Sequence, residues 1–182
     1  IQCHGGPAAV ELVIEALDGV SFSAYGWMLG KPYPAGGETP CFSNAATDFW
    51  REHLFDPGPG GEHEILWVNY RSRDPRVGSL ETHLLTQQAI IPLTGEIIQV
   101  VASSGPDGRP DPSSIAAFSI PPGQGICMRP GCWHATRVRE GQASCVMLTR
   151  RSTTLDLVGH LRDGNPMHES VISAVPGVML AI

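Results

Sequence analysis

The sequence predicts an all-β sandwich or barrel. Three observations carry that prediction. Glycine (21) and proline (16) are abundant for 182 residues, as many turns between short strands require. The apolar runs are short and bounded by turn residues, most densely over 64–103 and again over 125–150. Hydrophobic residues make up 42% and charged residues 16%, the composition of an ordinary globular core in a single domain over 1–182.

The elements follow in order. Residues 9–17 read as a first strand, because β-branched residues favour it over a helix of similar periodicity. Asp18-Gly19 is a turn, and 20–29 is a short element ending at Gly30. Residues 31–43 form a loop rich in proline and glycine. Asn44 or Thr47 caps a predicted helix over 48–55, with apolar residues at 49, 50, 54 and 55. Asp56 to Gly61 ends it as a lid or an inert tip. Strands are predicted at 64–72, 78–84, 87–93 and 96–103. A turn region over 103–112 leads to a short helix at 111–118 with proline in its first turn. Strands at 125–129, 132–138 and 144–150 complete a core spanning 9–152. After it, 153–162 reads as an amphipathic helix. The apolar tail 171–182 is expected to bury itself on its own domain or on a partner subunit.

Composition excludes several classes. A net charge of −6 with no basic cluster argues against a nucleic-acid partner. No apolar run is long enough for a membrane span, and nothing resembles a signal peptide. The five cysteines, Cys3, Cys41, Cys127, Cys132 and Cys145, include no Cys-x-x-Cys. Reduced thiols and a cytoplasmic location are therefore expected. Cys127 and Cys132 flank one of the motifs below and are candidates to line a pocket.

Two motifs carry chemistry. Glu81 and His83 are two apart, so on a strand they share a face and aim an oxygen and a nitrogen into one cavity. Gln88 lies five further on, where a turn after Leu85 would return it from the neighbouring strand, and Gly95 is expected to close the next hairpin. The second motif runs from Gly123 through Arg129-Pro130-Gly131 to Trp133-His134. A Glu-x-His by itself is commonly a solvated surface pair. Both motifs together supply N and O donors on rigid strands, as a catalytic divalent metal site requires. The other histidines, His4, His53, His63, His160 and His168, are assigned to surface or packing.

The spacing Glu81-x-His83-x4-Gln88-x6-Gly95, followed by Gly123-x5-Arg129-x-Gly131-x2-His134, resembles the two cupin motifs. Glu81 stands at the usual first His, Gln88 at the Glu and Arg129 at the Pro. That variant, with its Trp-His pair, resembles the ureidoglycolate lyase family. Phe22-Ser-Ala-Tyr-Gly26, Asn44, Asn69-Tyr-Arg71, Gln88-Ala-Ile-Ile-Pro-Leu93 and Arg150 extend the likeness over most of the chain.

The resemblance implies a cupin-type double-stranded β-helix barrel, or jelly roll, with a few short helices. It implies breakdown of ureidoglycolate to glyoxylate and urea by a metal-assisted C–N elimination, and a homodimer. Glu81, His83, Gln88 and His134 become the candidate catalytic and metal-binding set, with Glu81 alternatively the base. The cofactor is a divalent metal ion, with nickel, zinc, manganese and iron all admissible. The partner is a small anionic carboxylate substrate. Arg71 and Arg150 are candidates to bind its carboxylate, and Asn44, Asn69 and Trp133 to contact it.

This chain departs from the family pattern at Thr82, Leu84, Cys127, Met128, Ala135, Thr136 and Thr149. The exchanges are expected to make the pocket more apolar and roomier, suiting a larger or greasier substrate. A different cupin enzyme (oxygenase, isomerase or lyase) and a non-catalytic cupin binding module remain as alternatives.

Overall fold

The computed structural model describes residues 10–182. Cys3, His4 and the first residue of the predicted opening strand lie outside them. The strands are β1 (Val10–Leu12), β2 (Ile14–Ala16), β3 (Gly26–Leu29), β4 (Cys41–Ser43), β5 (Asp48–Trp50), β6 (His63–Tyr70), β7 (Arg76–His83), β8 (Gln88–Pro92) and β9 (Ile97–Ala102). After a 3₁₀ turn at Pro112–Ser114 come β10 (Ala116–Ile120), β11 (Gly125–Met128), β12 (Trp133–Arg137) and β13 (Ala143–Arg150). Helix α1 (Arg151–Asp163) and β14 (Ser170–Leu180) follow.

A seven-stranded sheet has the order β1-β14-β7-β12-β9-β10-β2, and a five-stranded sheet the order β3-β11-β8-β13-β6. From β7 to β14, every connection except β9–β10 carries the chain from one sheet to the other. That alternation is the double-stranded β-helix of the cupins. Consequently Gly95 does not close a hairpin. It sits in the corner where β8 of one sheet gives way to β9 of the other.

Burial explains which strand sits where. All six residues of β9 are buried, as suits a strand covered on both faces. β13 alternates buried and half-buried residues, whereas the edge strand β6 alternates half-buried and exposed ones. Between the sheets lie Phe22, Ile90, Ile97, Phe118, Ile120 and Ile126. A second cluster around Val77, Ile98, Val100 and Trp133 packs on the other face of the larger sheet, together with Leu12 and Ile14. Gly125 is required by close approach: a Cβ there would stand 2.8 Å from the Ile90 carbonyl oxygen. Gly131 takes the left-handed conformation (φ 81°) in the turn that leads to β12.

Three sequence expectations about elements need correction. The opening strand is two strands, β1 and β2, broken at Val13 and paired at opposite edges of the larger sheet, with β14 and β10 respectively. No helix forms at 48–55. Asn44 Oδ1 instead accepts the backbone N–H groups of Ala46 and Thr47 at 2.8 and 2.9 Å, and this turn lets β4 pair with β5. The cross-strand rings of Phe42 and Phe49 stack at 5.5 Å. The helix expected at 111–118 is a single 3₁₀ turn capped by Asp111, and Ala116–Ile120 then joins β9 as a strand. The tail, by contrast, lies on its own domain, one of the two places expected for it. It forms β14, paired along β7 from Ser170 to Met179. Helix α1 runs where the amphipathic pattern put it and ends at Gly164 in the left-handed conformation.

Candidate active site

One cavity, of about 540 Å³, opens between the two sheets and takes in Glu81, His83, Gln88 and His134 together. Glu81 and His83 share a face of β7, as the two-residue spacing requires. His134 on β12 is directly opposite Glu81, and Ser170 on β14 is directly opposite His83. Gln88 arrives from β8 of the facing sheet, not from a strand beside β7.

Each ring is fixed by a second partner. His134 Nδ1 lies 3.1 Å from the Cys132 carbonyl oxygen. A carbonyl only accepts, so Nδ1 carries the proton and Nε2 keeps a free lone pair. His83 Nδ1 lies 2.8 Å from Ser170 Oγ. The two rings face each other at 5.1 Å between centroids. Burial holds both imidazoles neutral. His83 is pushed down to about 3, with the charge of His134 adding to the effect, and His134 is pushed down to about 4.

Glu81 differs. Burial raises its carboxyl above the usual range, partly offset by His160 on α1. Its Oε1 is buried without a hydrogen-bond partner, and His83 Nδ1, at 3.8 Å, is out of reach. A buried carboxylate oxygen with no partner is costly and calls for a ligand. Among the described residues, no three His, Cys, Asp or Glu side chains converge tightly enough to clasp an ion as they stand. The donor chemistry nevertheless fits a divalent cation: two neutral imidazoles, a carboxylate oxygen in need of a partner and a carboxamide, all facing one cavity.

The structure does not bring the other candidates to this cavity. Arg71 is exposed, and its Nε donates to Gln142 at 2.7 Å. Arg150 donates to the carbonyls of Pro57 and Pro59 and pairs with Glu169 at 3.3 Å, pinning the loop over 56–61. Asn44 forms the β4–β5 turn. Asn69 is exposed and accepts from Ser144. Trp133 points opposite to His134, into the second apolar cluster, and donates Nε1–H to Ser104. Cys132 lies in the core between the sheets. Cys127 sits under the segment that carries Trp50 and His53, and lines a different hollow. Among the described positions that depart from the family pattern, Ala135 and Thr136 line the cavity, while Thr82, Cys127 and Thr149 do not.

Two cavity residues, Tyr70 and Arg137, and Ser170 behind His83 escaped sequence reasoning. Tyr70 lies between Asn69 and Arg71 and, by strand alternation, faces inward where they face out. Burial pushes its phenol up to about 12, so it stays protonated. Arg137 lines the cavity and donates to the backbone carbonyls of Asp74, Arg76 and Thr136. Among the described residues it pairs with no carboxylate, so its charge is not neutralised by a salt bridge. Ser170 was hidden because nothing in the sequence ties β14 to β7.

Comparison with known proteins follows the same residues. The family profile described as ureidoglycolate lyase matches residues 54–163, more than half of the chain and all four converging residues. The chain belongs to the ureidoglycolate lyase family. A putative ureidoglycolate lyase of Agrobacterium fabrum (strain C58 / ATCC 33970) is 36% identical over 72 residues, 39% of this chain and 44% of that protein. A ureidoglycolate lyase of Escherichia coli O1:K1 / APEC is 40% identical over 58 residues, 32% of this chain and 36% of that protein. The aligned stretch thus spans less than half the length of either relative.

Among solved structures, a dTDP sugar isomerase from Desulfovibrio desulfuricans G20 overlaps with a TM-score of 0.42 at 14% identity. The overlap covers 75% of this chain and 80% of that one. A dTDP-4-dehydrorhamnose 3,5-epimerase from Elizabethkingia anophelis NUHP1 overlaps at 0.39 and 12% identity, over 61% and 65% of the two chains. Overlap of this extent says nothing about the site. Within the ureidoglycolate lyase family, this chain's converging set is Glu81, His83, Gln88 and His134, and the family-like Asn44, Asn69 and Arg150 stand apart from it. Among the described residues no helix is long and apolar enough to cross a membrane.

Proposed function

We propose that the chain catalyses a lyase reaction of the ureidoglycolate type, a C–N elimination from a carbinolamide that bears a carboxylate. The observation that carries this is the partnerless Glu81 Oε1 facing a cavity with two neutral imidazoles. Burial raises the basicity of Glu81, and a raised carboxyl is suited to accept a proton from the substrate hydroxyl. As that proton leaves, C=O forms, the C–N bond breaks and the departing nitrogen needs a proton. Tyr70, kept protonated by burial and lining the same cavity, supplies it. Solvent then returns the proton from Glu81 to Tyr70.

His83, His134, Gln88 and Glu81 would hold a divalent metal ion. Such an ion, when bound, lowers the pKa of a hydroxyl and fixes an adjacent carboxylate. Ser170 and the Cys132 carbonyl orient the two rings for that task. Arg137 adds positive charge for the substrate anion.

The test is glyoxylate release from ureidoglycolate by protein supplied in turn with nickel, zinc, manganese and iron(II). Glyoxylate and urea are expected in equal amounts without oxygen uptake. Glu81→Gln should lose about 100-fold or more in kcat. Oxygen consumption, or no glyoxylate with any metal, overturns the proposal.

A further inference from the structure

The cavity is divided chemically. Glu81, His83, Gln88 and His134 form its polar side. Leu66, Val68 and Met147 from the five-stranded sheet form an apolar wall, extended by Ile172 on β14 and by Leu157 and Leu161 on α1. Ureidoglycolate has nothing to place against such a wall, since each of its carbons carries nitrogen or oxygen. Leu157 and Leu161 are one helical turn apart and share a face. Leu161 is 70% exposed and Ile172 46%, so the apolar wall continues out to solvent. Asp156, His160, Arg162 and Asp163 beside them are polar, and of the apolar residues of α1 it is Leu157 and Leu161, not Leu155 or Val158, that line the cavity.

We propose that the substrate is an N-acyl-α-hydroxyglycine with an apolar acyl group, its carboxylate and hydroxyl at the polar side and its acyl chain along the wall toward Leu161. This rests on the elimination proposed above. The reaction is R–CO–NH–CH(OH)–COO⁻ giving R–CO–NH₂ and glyoxylate. The hydroxyl proton passes to Glu81, C=O forms as C–N breaks, and the amide nitrogen takes a proton. No oxidant or reductant is needed. The same atoms react as in ureidoglycolate; the apolar group replaces the terminal amine of the urea.

The test uses acylglycines, which lack the hydroxyl and cannot react. Acetyl-, butyryl-, hexanoyl- and octanoylglycine are titrated into the full chain by calorimetry. Affinity is expected to rise about three- to four-fold per methylene, the value of burying each in an apolar site. The rise should flatten in Leu157→Asn/Leu161→Asn, whose folding is checked by thermal unfolding. Glyoxylate release from α-hydroxyhippurate and from ureidoglycolate is measured alongside, with α-hydroxyhippurate expected to show the higher kcat/KM. A flat series in the wild type, or a rise that survives in the double variant, overturns the acyl assignment. If ureidoglycolate is then turned over, the elimination stands without it. If the series rises as expected but neither compound releases glyoxylate, the elimination fails while the acyl-binding wall stands.

Discussion

Glu81 and His134 stand directly opposite each other across the β7–β12 pair: Glu81 Oε1 is buried without a hydrogen-bond partner, and His134 Nδ1 is turned to the Cys132 carbonyl oxygen. On the neighbouring pair, β7–β14, His83 stands opposite Ser170. The site is thus three adjacent strands of one sheet, completed by Gln88 from the other.

If these residues hold a cation, His83→Ala/His134→Ala should abolish bound metal in elemental analysis. Ser170→Ala should weaken affinity about ten-fold by freeing the His83 ring. Equal metal in the wild type and the double variant would falsify the ligand set.

Charge gives a second prediction. One carboxylate and three neutral donors leave a divalent ion with residual positive charge, which attracts a carboxylate ligand. Gln88→Glu should cancel that charge and weaken oxalate or glyoxylate binding more than it weakens metal binding. Unchanged oxalate affinity at full metal occupancy would place Gln88 outside the electrostatics of the site.

Arg150 holds the 56–61 loop and stands apart from the cavity. Arg150→Ala removes its bonds to the carbonyls of Pro57 and Pro59 and its pairing with Glu169. Stability should fall by about 2 kcal/mol, with faster proteolysis in that loop and unchanged activity per folded molecule. A raised KM at unchanged stability would return Arg150 to the substrate.

The neutral imidazoles predict acid sensitivity. Both folded values, about 3 for His83 and about 4 for His134, lie below the ordinary imidazole range. Their contribution is therefore fully present above the unfolded value of about 6.5. As pH falls, the unfolded chain takes up protons that the folded chain refuses, so stability is lost progressively toward the folded values. Glu81, raised by burial, works in the opposite sense over the upper part of that window. With a chelator present, the denaturant midpoint should be lower at about pH 5 than at about pH 7, and less so in His83→Asn/His134→Asn. A midpoint independent of pH over that range would contradict the buried-neutral assignment.

Much of the site was legible because strand period is a local property. Glu81 and His83 had to share a face, and His134 had to oppose Trp133. The same rule separates Asn69 and Arg71 from Tyr70, but period alone does not say which face is inside. Gln88 was found without its sheet, because spacing does not reveal whether a strand turns back beside its predecessor or crosses over. Asn44 misled for a chemical reason: an Asn oxygen that accepts backbone N–H groups caps a helix and closes a turn by the same bonds. Arg137 and Ser170 owe their places to pairings far apart in sequence.

One pairing has a consequence for how the molecule comes into being. β1 and β2 are separated by Val13 alone, yet they form the two outer edges of a seven-stranded sheet. With about 3.3 Å per residue, those edges must come within roughly 13 Å of each other, so the sheet has to roll up around them. β14 slots between β1 and β7. During synthesis β1 must wait for β14, which is made after the other strands of the described residues. Until then β7, with Glu81 and His83, has an open flank, and His83 lacks Ser170. Completion of the strand that carries Glu81 and His83 is therefore a late event in folding, and a chain stalled before residue 170 would expose an unpaired strand to its neighbours.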